Sequence, residues 1–238
     1  MAVERKTLTQ LSVPICLETL FYMLSGMVDT LMLSSVGDQA VGAVGTANTY
    51  IGVFIIMFGV ISSGMVAVMS QNIGAGRPGI AYQARQLGLL FNASTGILMS
   101  VILAFCSGRI LKVVSIAPAL LEPAETYLKI VGGACFLNAL IPIFSSYLRV
   151  FGYTKHSLIG TIVGNAVNII FNSVFLFVFK WGVMGVAVAT VISKVVNLII
   201  VAAMGAVLIK AKQSPERIQP RKILAQIVKI GFPSALET

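Results

Sequence analysis

The sequence predicts an all-α polytopic membrane protein: a six-transmembrane-helix lobe, the first of two repeats. Three observations carry this. The 238 residues are 57% apolar and 11% charged, with a mean hydropathy of +0.94; a soluble domain of this size does not hide that much apolar surface from water. The apolar residues come in six runs of about 20, the length that crosses a hydrocarbon core of about 30 Å. The chain also begins to repeat itself. Residues 9–19 read TQLSVPICLET and residues 228–238 read VKIGFPSALET. The offset of 219 aligns Pro14 with Pro233, Leu17 with Leu236, Glu18 with Glu237 and Thr19 with Thr238. Duplicated halves are a common plan among secondary transporters.

The runs place spans near 11–35, 44–69, 86–108, 127–148, 157–179 and 183–209. The first is too long for a cleaved signal, contains Glu18 and Asp29, and is not followed by a small-x-small cleavage site. Spans 1 and 2 meet at SSVGDQAVG (34–42). Spans 2 and 3 meet at QNIGAGRPGIAYQAR (71–85), where Gly74, Gly76, Pro78 and Gly79 break both helices. A looser stretch, 109–126, carries Pro118 and Pro123. RVFGYTKHS (149–157) and KWGVMG (180–185) are the next turns. Inside the spans, Gly160 and Gly164 form a GxxxG pair, and Gly182, Gly185, Ala187 and Ala189 line the start of span 6; such residues let helices approach closely.

The chain therefore divides into a lobe over 1–209, a basic interlobe linker over 210–225 and the start of a seventh helix over 226–238. A partial helix of about a dozen residues does not cross a bilayer, so a second lobe is expected to follow in the same polypeptide. The alternative is a truncated half that transports nothing by itself, or that pairs with a second copy.

The net charge of +9 is a matter of topology. Arg5, Lys6, Arg77, Arg85, Arg149, Lys155, Lys210, Lys212, Arg217, Arg221, Lys222 and Lys229 fall on one side of the predicted membrane; Arg109, Lys112 and Lys180 fall on the other. Positive loops favour the cytoplasm, which places both ends of this chain there, in a multi-pass protein of the plasma (inner) membrane. The lipid bilayer is thus a partner and nucleic acid is not. Cys16, Cys106 and Cys135 all lie in spans without metal or pairing spacing. His156 stands in a predicted loop, and no Ser–His–Asp set, HExxH or P-loop occurs, so no enzyme activity and no cofactor are expected.

Polar groups are costly in hydrocarbon, and those present commonly face an interior cavity. Asp29 lies about 18 residues into span 1, roughly 27 Å along the helix. Such a carboxyl can exchange a proton or bind a cation; a helix-end Asp that simply meets water is the other reading. Asn165, Asn168 and Asn172 share one face of span 5, within about 60° of each other. They can coordinate a hard cation, hydrogen-bond a carboxyl, or serve only as interhelical glue. Thr190 and Ser193 can bond their own helix. Lys194, near mid-membrane, can snorkel, pair with a carboxylate such as Asp29, or stay neutral.

Together VDTLMLSSVGDQAVGAVG (28–45), SQNIGAG (70–76), RVFGYTKHS (149–157), NAVNIIFN (165–172) and GVMGVAVATVISK (182–194) resemble the multidrug and toxic compound extrusion (MATE) transporters over essentially the whole chain. The resemblance implies a twelve-helix protein of two six-helix lobes that exports organic, often cationic, small molecules against H+ or Na+. It implies a coupling-ion site at Asp29, Asn168, Asn172 and Thr190, with Asn165 and Lys194 as further polar groups of the cavity. Asn172 stands where one branch of the family has Asp; losing that carboxylate makes a proton on Asp29 the simpler carrier. Gln71, Gly74 and Gly76 match the family's internal loop, where glycine serves backbone geometry. A lipid-linked oligosaccharide or polysaccharide flippase of the same superfamily is the alternative cargo; it would be expected to line its cavity with several bases, for which only Lys194 and Lys129 are available.

Overall fold

The structure, a computed structural model, describes residues 8–209 and 219–236. Among the described residues, eight α-helices run in chain order: α1 Leu8–Ser34, α2 Asp38–Gly74, α3 Pro78–Val113, α4 Pro118–Tyr127, α5 Cys135–Val150, α6 Thr154–Ser173, α7 Gly182–Leu208 and α8 Pro220–Leu236. Short π-helical segments, Leu128–Gly132 and Val174–Val178, follow α4 and α6. Five of the described helical stretches are long and apolar enough to cross a membrane. Pro118–Gly132 and Cys135–Val150 make a sixth span if taken together, bent by 43°. An all-α lobe of six spans is the architecture that the composition and the apolar runs imply.

Local chemistry explains the breaks. The α2–α3 turn needs Gly76 at φ 73°, and Pro78 then starts α3, where a missing N–H costs nothing. Gly74 lies within α2, and the Gln71 carbonyl caps that helix by accepting from the Ala75 N–H. The stretch 109–126 is not loose, as expected, but largely helical. Helix α3 runs on to Val113, and Pro118 opens α4 at its first turn. The turn near 149–157 is also shorter than expected: α6 begins at Thr154, so His156 is helical, its ring edge-on to Tyr153. The bend at 128–134 falls where Gly132 lets the chain pass Leu103; a Cβ at Gly132 would meet the Leu103 Cβ at 2.9 Å. Helix α8 starts at Pro220, inside the stretch read as linker; residues 210–218, Glu237 and Thr238 lie outside the described residues.

Packing rests on small residues and on two apolar clusters. Leu33, Ile51, Phe58, Leu103, Leu128 and Val186 centre one; Met65, Met69, Ile143, Leu148, Ile223 and Ile227 centre the other. Helix α2 is central and touches α3, α4, α5 and α8, while α1 packs mainly on α6, and α6 on α7. Where α2 crosses α8 the backbones nearly touch: a Cβ on Gly64 would overlap the Ile227 carbonyl, and one on Gly231 the Val60 carbonyl. The GxxxG pair of α6 works the same way, since a Cβ at Gly160 would meet Val201 Cγ1 at 2.7 Å on α7. Outward faces stay apolar, as with Phe105 (83% exposed) and Leu31 (70%), which suits a lipid surroundings.

Candidate functional site

Helix α1 presents Asp29 to α6. The Asn172 amide nitrogen donates to Asp29 Oδ1 at 2.6 Å and to Asn168 Oδ1 at 3.1 Å. Asn168 and Asn172 are buried and Asp29 is half-buried. The i, i+4 spacing on α6 stacks the two amides, so a single Asn172 nitrogen bridges the carboxylate and its neighbour. Asn172 Oδ1 is buried without a hydrogen-bond partner, leaving an unused acceptor beside the acid.

The other expected residues divide. Thr190 is buried on α7 and donates to its own helix at the Val186 carbonyl, 2.8 Å away. The buried Tyr127 hydroxyl lies beside Thr190 and Asn48 and is close enough to Asp29 to feel its charge. Lys194, one turn beyond Thr190, interacts electrostatically with Asp29 and Cys135 but forms no direct ion pair with either. The expected pairing of Lys194 with Asp29 is thus not made as a direct contact. Asn165 departs from the set. Its amide donates to the backbone carbonyl of Phe21 on α1 at 2.7 Å, so it ties two helices together and does not reach Asp29. Gln71 and Gly74 sit at the far end of α2 and Gly76 in the turn after it, away from this cluster.

The arrangement is a carboxylate with one strong amide donor, a second amide behind it, a hydroxyl cluster beside it and one cation at a distance. It can hold a proton, or accept a small cation among oxygens from Asp29, Asn168 and Asn172. Among the described residues, no group of three or more His, Cys, Asp or Glu with metal-binding geometry occurs. A groove of about 400 Å³ lined by Ile97, Val101, Phe105 and Phe136 lies elsewhere and is almost wholly apolar, the wrong chemistry for an ion.

The sequence pattern does not single out Glu18, half-buried Arg149, Ser157 and Thr161, which form a polar cluster about 16 Å along α1 from Asp29. Nor does it single out Asn92, whose amide donates to the Ala139 carbonyl at 3.1 Å and the Phe58 carbonyl at 3.3 Å, joining α2, α3 and α5. Glu18 had a signal, since it belongs to the repeated unit Pro14–Thr19. Arg149 was visible only as a loop charge.

A family model described as MatE matches residues 14–174. The chain is 34% identical to the uncharacterized transporter YisQ of Bacillus subtilis, over 97% of this chain and 52% of that one. It is 27% identical to the probable multidrug resistance protein NorM of Thermotoga maritima, over 98% of this chain and 51% of that one. The fold matches the outward-facing conformation of a multidrug resistance MATE family transporter of the MOP superfamily, with a TM-score of 0.83 at 21% identity, covering 96% of this chain and 51% of that one. The chain thus spans about half the length of the curated relatives it matches.

Proposed function

The chain belongs to the MATE family, and on that premise we propose that it forms one lobe of a secondary active multidrug exporter that exchanges organic, often cationic, compounds for H+ or Na+. A second lobe completes the cavity, and the basic loops face the cytoplasm from the plasma membrane. Asp29 is the coupling-ion carboxylate. The observation that carries this reading is the 2.6 Å bond from Asn172 to Asp29 at the α1–α6 interface, with Asn168 behind it. An amide in the place of a second acid leaves the site one negative charge. One proton neutralises it, so H+ is the simpler coupling ion. Protonation removes the charge, changes what Asn172 and Lys194 feel, and biases α1 between two arrangements; cargo release follows from that bias.

The reading is tested in an efflux-deficient bacterial host expressing the complete gene product at matched membrane levels. Wild type lowers accumulation of a cationic dye such as ethidium, and Asp29→Asn does not. Dye export by Asp29→Asn at the wild-type rate overturns the assignment.

A further inference from the structure

Eleven residues before Asp29, α1 carries a second carboxylate, and this one is buried. Glu18 is 7% exposed, and its Oε1 accepts from Arg149 Nη2 at 2.7 Å, from Ser157 Oγ at 2.9 Å and from Thr161 Oγ1 at 3.4 Å. One oxygen therefore joins α1, the last turn of α5 and the first two turns of α6. Eleven residues turn a helix by about 20° net and advance it about 16 Å, so Glu18 and Asp29 lie on one face of α1.

Helix α6 answers that face with a polar stripe: Ser157, Thr161, Asn165, Asn168 and Asn172, three or four residues apart throughout. The interface is consequently pinned at three heights. Glu18 meets Ser157 and Thr161, the Phe21 carbonyl meets Asn165, and Asp29 meets Asn172. A buried ion pair is a poor source of stability, because desolvating both charges offsets most of their attraction; its better-attested use is to specify one register among several. Slipping α1 by one residue rotates it by 100° and breaks all three contacts.

We propose that Glu18, held by Arg149, is a positioning residue of the transporter: it sets the rotation and height of α1 on α6 so that Asp29 meets Asn172. The proposal rests on Asp29 being the coupling carboxylate. The charged and titratable groups around the two acids are few. Arg149 on α5 faces Glu18, and half-buried His156 and exposed Lys155 stand in the first turn of α6. Asn172 on α6, Lys194 on α7 and Tyr127 on α4 surround Asp29. Helix α2 adds Asp38, at its exposed start, and half-buried Tyr50, and α1 itself carries Tyr22.

The test is ethidium export by the complete transporter in proteoliposomes, driven by an imposed proton gradient and followed as a function of pH. Glu18→Gln is expected to slow export about tenfold, the usual scale for losing a group that orients a functional ligand, and to move the pH midpoint. The charge swap E18R/R149E restores the pair and should recover most of the rate. Wild-type rate and midpoint in Glu18→Gln overturn the proposal, and so does a slower rate at an unmoved midpoint, which marks Glu18 as structural only. If Glu18→Gln does not reach the membrane, S157A/T161A takes its place; an unmoved midpoint there also overturns the proposal. Asp29→Asn is run in parallel. Continued proton-driven export by that variant refutes the coupling reading itself, whereas its silence beside an unaltered Glu18→Gln refutes only the positioning role.

Discussion

Glu18 and Asp29 occupy the same face of the same helix and are treated in opposite ways. Glu18 has a guanidinium at 2.7 Å and two hydroxyls, so its charge is balanced where it stands. Asp29 has an amide at 2.6 Å, a second amide one step removed, and a cation that does not touch it. A carboxylate held by Arg and two hydroxyls is tied to the helices that carry them. One solvated by neutral dipoles in an apolar surrounding can be neutralised by a proton or matched by a small cation. The contrast teaches which acid is suited to exchange and which to hold, although composition treats them alike.

The sharpest way to break the contrast is to neutralise Asp29. Asp29→Asn should reduce export to the background of untransformed cells while leaving membrane insertion intact, read by dye accumulation and by immunoblot of the membrane fraction.

A comparably large but mechanically different effect is expected at the α2–α8 crossing. Gly64→Leu forces side-chain atoms into the Ile227 carbonyl and should cost about 3 kcal/mol, the upper end of ordinary overpacking. Thermal unfolding in detergent checks it. An unchanged midpoint would mean that the two helices separate at little cost.

The two asparagines of α6 sharpen the comparison further. Asn172→Ala removes the donor to Asp29 and should lower export about three- to tenfold, with the loss in coupling and not in protein level. Asn165→Ala removes a bond to the Phe21 backbone and should cost only about 0.6 kcal/mol of stability, with export lowered less than by Asn172→Ala. If the two substitutions behave alike, the amides of this stripe are equivalent glue.

Much of the fold was legible because the bilayer sets a length and excludes charge. Six apolar runs mark the spans, and glycines 160 and 164 mark a close crossing that the structure realises against Val201 and Asn197. The short amphipathic helix Pro118–Tyr127 was missed because two prolines and two glutamates in PALLEPAE look like a loop, whereas Pro118 takes the first turn of a helix, where proline fits. The bend near Gly132 leaves no mark on an apolar run, since it depends on how α3 packs there. Of the site, helical periodicity placed the three asparagines on one face, but not which of them reaches Asp29. Asn165 faces a backbone carbonyl and Asn172 a carboxylate because of the height at which α1 crosses, a property of the pair of helices. The Glu18–Arg149 contact joins residues 131 positions apart and has no local signature beyond the repeated motif.

The most direct test of the central claim is ion movement itself. With the complete transporter in proteoliposomes holding a pH-sensitive dye, adding ethidium to wild type should drive a proton flux of opposite direction, and Asp29→Asn should abolish that flux while the protein still binds ethidium. A cargo-driven proton flux of wild-type size in Asp29→Asn would contradict the assignment of coupling to Asp29.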